Sequence, residues 1–371
     1  MIDGAVVNVK DYGATGDGTT DDTAAIQAAL DYLATLGDGA TTPTPYRRSG
    51  GTLFFPNGTY KTTAPLVPLP GRYKLCGTGR FKEYSQKFDP QPDCLPTIMP
   101  VHTGRAAILV DAGASEVSFV IEDMSIATVE AGSMPTAGIA WKSSAQFQTD
   151  FTFSRVAING FTSAFDVYNA GGQGVGLVTV NDCVITRNTY VWRNLDDQVI
   201  NVLRFTGNQA GQNTNGMSLL GDDIIITGNN FESNADAILL TSTYTGLQIT
   251  SNYFEANSGD YLIKLIFCNG GVIENNFIST TTALDDIVLF RCANIRTNQP
   301  KGKVTSDASI NVSANANTFW PNTDSRMSVG LYYNKSFEQS LTRPDVVISA
   351  TSPSPTSSFI GIEGSVGELY T

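Results

Sequence analysis

The sequence is poor in histidine, in positive charge and in long apolar runs. Its single histidine, His102, leaves that one position as the base of any Ser-His-Asp relay. Its Pro-Val-His-Thr-Gly setting, in an irregular passage, reads as structural. Lys and Arg number 23 against 35 Asp and Glu, a net charge of −12, which argues against nucleic acid or an anionic membrane surface as partner. An acidic glycan would need local basic patches. No apolar run approaches the ~18 residues of a membrane helix. The five cysteines (Cys76, Cys94, Cys183, Cys268, Cys292) are odd in number, widely spaced and free of C-x-x-C. They read as small buried residues, not a disulfide frame or metal site, and no metal or cofactor is expected. Residues 1–4 lack the basic and apolar regions of a secretory signal. Synthesis in a reducing cytoplasm is expected, with action elsewhere after lysis.

What the sequence does have is repetition. Gly228-Asn229-Asn230-Phe231-Glu232, Ser251-Asn252-Tyr253-Phe254-Glu255 and Glu274-Asn275-Asn276-Phe277-Ile278 echo one another. Aligned on Asn229, Asn252 and Asn275, and on Phe231, Phe254 and Phe277, they keep a step of 23 residues. A period of that size marks a solenoid, whose equivalent residues stack in rows. Ile224 and Ile226 share one strand face, and Leu247 and Ile249 are their counterparts one step on. The asparagines are expected to stack at a turn as a structural ladder. Earlier coils are placed around Asp123-Met124, Arg155-Val156, Asp182-Cys183 and Gly207-Asn208.

Near the N-terminus, Ala25, Ile26, Ala29, Leu30 and Leu33 have the spacing of a helix face, ending at Gly37. Asp21, Asp22 and Thr23 sit where an N-cap and first-turn acids belong. The reading divides the chain into an N-terminal cap over 1–105, repeats over 106–325, and a C-terminal capping or oligomerisation segment over 326–371.

The stretches from Val9-Lys10-Asp11-Tyr12-Gly13-Ala14 through Asp21-Asp22-Thr23-Ala24-Ala25-Ile26, and Gly50-Gly51-Thr52-Leu53-Phe54-Phe55-Pro56 with Gly58-Thr59-Tyr60, resemble the entry motif of the pectate-lyase-like superfamily. The resemblance implies an all-β fold, a right-handed parallel β-helix (solenoid) with an N-terminal capping helix. Many members are bacteriophage tailspike depolymerases, homotrimers that cleave bacterial surface polysaccharides, so it also implies a virion tail or a free extracellular enzyme. Two variants of the family are missing their signatures. The Asp-Pro-His motif of alginate-epimerase-like members is absent, and Gly221-Asp222-Asp223 lacks the downstream Gly-His-Gly of polygalacturonases.

Chemistry is sought among outward rows. If Phe231 and Phe254 point inward, Glu232 and Glu255 point outward on strands about 4.8 Å apart. Stacked like charges suit an acid/base pair. A separation of about 5–5.5 Å would fit a retaining glycosidase and about 6.5–9.5 Å an inverting one. The acid row stops in the third repeat, at Ile278. Asp236, Asp260 and Asp286 form a second acidic row before the next strands, with Asp166 and Asp197 in similar settings; such residues also serve as turn acceptors. Asp236, four residues from Glu232, is the one taken as assisting. Tyr190 and Trp192 flank Val191, so both rings face solvent if Val191 faces the core, and could stack on sugars. Tyr253 is outward beside Glu255. Arg193 and Arg204 could hold a carboxylate or phosphate on a glycan.

The expectation is therefore a glycoside hydrolase acting on bacterial surface polysaccharide, with Glu232, Glu255 and Asp236 catalytic and Tyr190, Trp192, Arg204 and Tyr253 binding sugar. A polysaccharide lyase, or a glycan-binding adhesin without catalysis, are the alternatives.

Overall fold

The computed structural model describes residues 6–36, 51–81, 94–111, 117–129, 135–142, 148–168, 174–194 and 199–241, then 243, 245–279, 283, 285–298, 303–307, 313–315 and 318–321. The chain winds as a parallel β-solenoid, each strand pairing in parallel with its equivalent in the neighbouring coils. Each coil has three sides. The first side runs through Val6–Asn8, Thr52–Phe54, Gly71–Cys76, residues 117–122 and 148–154, Val175–Asn181, Ile200–Thr206, residues 221–227, Leu247–Thr250 and Asn269–Glu274. The second includes Val184–Thr186, Gln209–Gly211, Asn230–Glu232, Tyr253–Glu255 and Phe277–Ile278. The third includes Ala106–Val110, Ala137–Lys142, Ser163–Tyr168, Tyr190–Asn194, residues 215–220, Asp236–Thr241 and Tyr261–Ile266. The first-side ladder is already present at Val6, ahead of the recognisable repeats. The segment 326–371 lies outside the described residues.

The corners explain the repeats. Between the first and second sides, Asp123, Arg155, Asp182, Gly207, Gly228, Ser251 and Asn275 all take positive φ, from 54° to 67°. The next residue turns inward. There Asn208, Asn229, Asn252 and Asn276 form a ladder. The backbone N–H and side-chain Nδ2 of each asparagine donate to Oδ1 of the next, at 2.8–3.0 Å from Asn208 to Asn229 and at 2.9 Å from Asn252 to Asn276. Each Nδ2 also caps a carbonyl one coil back, such as Phe205 O for Asn229 at 2.8 Å. A buried asparagine satisfied on both ends is a stabilising corner piece.

One expected member of this ladder is corrected. Asn275 is exposed at φ 55° and Asn276 occupies the inner site. Asparagine tolerates left-handed backbone better than other non-glycine residues, so Asn275 takes the place of Gly228 and Ser251. The third step is 24 residues, and Phe254 pairs with Ile278, not Phe277. Phe277 faces out, stacked on Tyr253. The residue following Ile278, Ser279, continues the position after Phe254 and donates its backbone N–H to Phe254 O at 2.9 Å. The acid row therefore stops at Ser279.

A second ladder lies five residues on, between the second and third sides. Asn188, Asn213, Asn234 and Asn257 follow left-handed Arg187, Gln212, Ser233 and Ala256 and bond in the same pattern. Inside, Phe231 and Phe254 stack 5.2 Å apart, and Trp141, Phe165 and Trp192 form a second stack. Helix Thr23–Thr35 buries Ile26, Ala29, Leu30 and Leu33 against the first coils. Asp22 precedes it but does not cap it with its side chain. Its carboxylate instead accepts from Thr15 N–H (2.7 Å) and Gly16 N–H (3.0 Å), fastening the glycine turn. Gly37 lies outside the described residues.

Candidate functional site

The outward face of the second side brings three of the expected residues together. Glu232 and Glu255 are direct register partners, as are Asn230 and Tyr253. Phe231 and Phe254 point inward and are fully buried, so alternation turns both glutamates to the surface. The residue paired with Glu232 on the preceding coil is Gly211, which leaves that flank without a side chain. On the other flank Tyr253 and Phe277 lie 5.5 Å apart with rings only 3° from parallel. Phe277 is 58 % exposed. Two outward carboxylates thus lie beside a flat aromatic surface. Asn230 Nδ2 donates to Glu232 Oε2 at 3.4 Å, and Asn230 Oδ1 is buried with no partner among the described residues.

Asp236 stands across the Ser233–Ala235 corner, at the start of the third side. Its Oδ1 accepts the backbone N–H groups of Asp260 (2.8 Å) and Tyr261 (3.3 Å). Gly259 makes this approach feasible: a Cβ there would lie 2.1 Å from Asp236 Oδ1. The carboxylate thus shapes the turn of the following coil. Tyr261 sits alongside; burial, reinforced by Asp236, Asp260 and Tyr190, pushes its phenol well above the ordinary range, so it stays protonated. The second acidic row is not a single row: Tyr261, not Asp260, pairs with Asp285. Asp197 lies outside the described residues.

Trp192 is a correction. It is fully buried, packed between Phe165 (4.8 Å) and Trp141 (5.6 Å), with Nε1–H donating to Asn194 Oδ1 at 3.0 Å. The alternation argument fails because each third-side strand opens with two consecutive inward residues. Ala164-Phe165, Val191-Trp192, Ala237-Ile238 and Leu262-Ile263 are all buried. The register pairs Ser163 with Tyr190 and Phe165 with Trp192, passing over the first inward residue. Gly216 occupies that position in its coil, where a Cβ would meet Ala237 O at 1.8 Å. Tyr190 remains half-buried, with the Arg193 guanidinium 5.5 Å from its ring centre. Arg204 is exposed on the first side, pairing with Thr179 and Ile225, and does not share the glutamate face.

Sequence reasoning missed one constellation. On the third side, Asp166 is completely buried and receives Arg105 at 2.6 Å and Arg193 at 3.3 Å, both on Oδ2. Burial lifts this carboxyl above its ordinary range, while Arg193 and Arg105 oppose the rise. Arg105 precedes Ala106–Val110 and reaches across two coils, which no local spacing reveals. Among the described residues no group of three His, Cys, Asp or Glu is placed to hold a metal ion, and no helix is long and apolar enough to cross a membrane. Cys183, Cys268 and Cys292 are buried; Cys76 and Cys94 are half-buried, and all five are free thiols.

Comparison with known proteins agrees with the architecture. The mannuronan C5-epimerase AlgE5 of Azotobacter vinelandii is 44% identical over 64 residues, 17% of this chain and 5% of that protein. A probable glucan endo-1,3-beta-glucosidase of Arthroderma benhamiae is 44% identical over 62 residues, 16% of this chain and 6% of that protein. The matches thus span about a twentieth of those relatives' length. Among solved structures, the DFA-IIIase of Arthrobacter chlorophenolicus A6 in complex with GF2 superposes with a TM-score of 0.64 at 13% identity, covering 84% of this chain and 88% of that one. The AlgE6 A-module of Azotobacter vinelandii gives 0.56 at 16% identity, covering 87% and 91%. These likenesses show the fold. Residues 6–257 match the family described as "Rhamnogalacturonase A/epimerase, pectate lyase-like", and with most of its coils inside that match the chain belongs to this pectate-lyase-like family.

Proposed function

We propose that this chain is a polysaccharide depolymerase of the tailspike type that hydrolyses glycosidic bonds in a bacterial capsular or O-antigen glycan. The observation that carries the reading is the in-register pair Glu232 and Glu255 beside the Tyr253–Phe277 stack. Relatives named as a mannuronan C5-epimerase and a probable glucan endo-1,3-beta-glucosidase support a carbohydrate substrate. Homotrimeric assembly and a place on a virion tail belong to the same proposal, with 326–371 as its capping or oligomerising end.

One glutamic acid protonates the departing glycosidic oxygen as the C–O bond breaks. The other carboxylate either attacks the anomeric carbon, giving a glycosyl ester that water then cleaves with the first glutamate taking the water's proton, or itself takes a proton from water attacking that carbon, according to the distance between them. Tyr253, with Phe277, supplies the stacking surface. Asp236 holds the adjoining turn, Tyr190 borders it two coils back, and Arg204 contacts an extended glycan on the first side.

The test is digestion of a panel of capsular and O-antigen polysaccharides. Chain shortening with new reducing ends and no gain in ultraviolet absorbance is expected, with loss of activity in Glu232→Gln and Glu255→Gln. An unsaturated, absorbing product would replace hydrolysis by β-elimination. Binding without shortening would leave an adhesin, and cleavage at the parental rate by both variants would remove these glutamates from the mechanism.

A further inference from the structure

In the later coils two corners are filled by asparagine ladders. The corner between the third and first sides carries sulfur instead, Cys268 and Cys292, at equivalent positions of successive coils. Each follows a left-handed residue, Phe267 at φ 56° and Arg291 at φ 50°, as the ladder asparagines do. The residues after them, Asn269 and Ala293, are register partners, and Ala293 N–H donates to Cys268 O at 2.8 Å. Thr243 stands at the same place one coil earlier, its carbonyl accepting Asn269 N–H at 2.8 Å.

Both sulfurs turn into the corner. Cys292 Sγ lies 3.4 Å from Leu265 O, on the strand that leads to Cys268, and 3.5 Å from Phe290 O. Cys268 Sγ lies 3.7 Å from Leu240 O and 3.5 Å from Ile266 O. Each thiol leans back over the preceding coil, which brings the Cys292 sulfur to Cys268, and the Cys292 S–H donates to the Cys268 sulfur. That bond pulls the Cys268 thiol below its ordinary range and pushes Cys292 up. Cys268 is thereby the nucleophile of the pair and Cys292 keeps its proton. A thiol is a weak hydrogen-bonding group, so this corner cannot have the two-ended bonding that asparagine gives the others. What two stacked thiols can do is join. Equivalent residues on neighbouring parallel strands lie about 4.8 Å apart, inside the Cα separation of about 4.4–6.8 Å that a disulfide bridges.

We propose that Cys268 and Cys292 are an oxidisable dithiol, which closes into a disulfide between successive coils when the chain meets a peroxide. The Cys268 thiolate attacks hydrogen peroxide and breaks its O–O bond, leaving a sulfenic acid at Cys268 and releasing hydroxide, which takes up the proton the thiol gave up. The Cys292 sulfur then attacks the sulfenic sulfur. The S–S bond forms, the S–O bond breaks, and the departing hydroxyl leaves as water with the Cys292 proton. Two thiols are oxidised by two electrons and one peroxide is reduced to two waters. Both cysteines are buried, which favours a small uncharged oxidant, and the neighbouring Phe267 at 45 % exposure places the corner just beneath the surface. The linked positions are 24 residues apart and the loop they close contains Phe277, so the bond fastens the coil that presents the aromatic stack. A reducing cytoplasm holds the pair open and oxidising surroundings close it. The latch does not depend on the glycan-cleaving reading.

The experiment compares the full chain kept reduced with the chain exposed to hydrogen peroxide. Each sample is unfolded, alkylated with iodoacetamide and weighed by mass spectrometry. All five cysteines are expected to be alkylated in the reduced protein, and only Cys76, Cys94 and Cys183 after peroxide, with a peptide joining Cys268 to Cys292. Dithiothreitol is expected to restore all five. The thermal midpoint should rise by a few degrees on oxidation and fall back on reduction. Cys268→Ser and Cys292→Ser should show neither the link nor the rise; if either variant does not fold, the peptide map of the parent protein decides. The proposal is overturned if peroxide leaves both cysteines open to alkylation, or if oxidation stops with oxygen added to Cys268. It is equally overturned if the bond joins other cysteines or two copies of the chain, or if the link does not raise the midpoint.

Discussion

The corners and the outward rows of this solenoid come from the same repeating coil but obey different rules. At a corner, Asn229 must accept from Asn208, donate to Asn252 and cover the Phe205 carbonyl. A change there strands buried groups in neighbouring coils. On the second side the corresponding row begins with such an obligation, Asn159 Nδ2 donating to buried Thr186 Oγ1 at 3.0 Å, but continues outward as Gly211, Glu232 and Glu255, joined by none. Corners preserve residue type because each side chain completes the coil before it. Faces are free to vary, so an acid that appears for two coils and then stops is a place where selection for something other than folding can act.

The largest expected separation between the two regions is catalytic. Glu232→Gln or Glu255→Gln should lower depolymerisation by roughly 10²–10⁴-fold, the range for losing a general acid or base. Reducing-end assays would measure this, with denaturant midpoints left near the parent's. An activity loss matched by an equal stability loss would erase the distinction. Trp192→Ala should do the reverse, costing about 3–5 kcal/mol in equilibrium unfolding as a large buried side chain is removed. The corner itself is tested by Asn276→Ala against Asn275→Gly. The first should cost about 1–3 kcal/mol for stranding buried donors. The second should be nearly neutral, since glycine adopts the left-handed backbone freely.

Two smaller effects sharpen the picture. Phe277→Ala should weaken glycan binding by about 0.5–1.5 kcal/mol, the worth of an aromatic contact, raising KM several-fold with thermal stability unchanged. His102 gives a pH dependence. Burial lowers its pKa below the ordinary value of 6.5, so the unfolded chain takes up the proton first as pH falls. Stability should therefore decline below about pH 6.5 down to the folded-state pKa, with a slope of at most about 1.4 kcal/mol per pH unit from this group. His102→Gln should flatten that decline in unfolding experiments across pH 5–7.

Much of the architecture was legible in the sequence because corner chemistry leaves durable marks. Asn229 and Asn252 announce the inner ladder, and Phe231 with Phe254 announces which way the second side faces. The same marks misled at Asn275-Asn276, where a doublet offers two asparagines for one inner site and only backbone φ separates them. The second ladder was visible in principle: Asn213, Asn234 and Asn257 each follow a first-ladder residue by five. Trp192 was misjudged because strict alternation ignores the two inward residues that open each third-side strand. The cluster of Arg105, Asp166 and Arg193 spans non-adjacent coils, so its members are 61 and 27 residues apart. No motif ties such positions together; only the winding does.

The asparagine ladders also have a direction. Donors belong to the earlier coil and the accepting oxygen to the later one, from Cys183 through Asn208, Asn229 and Asn252 to Asn276, and from Phe161 through Asn188, Asn213 and Asn234 to Asn257. The two ends of the winding are therefore not equivalent, much as the two ends of a polar filament differ. As the chain emerges from the N-terminus, each finished corner holds N–H groups whose acceptor has yet to be made. A corner is therefore completed only when the following coil is in place.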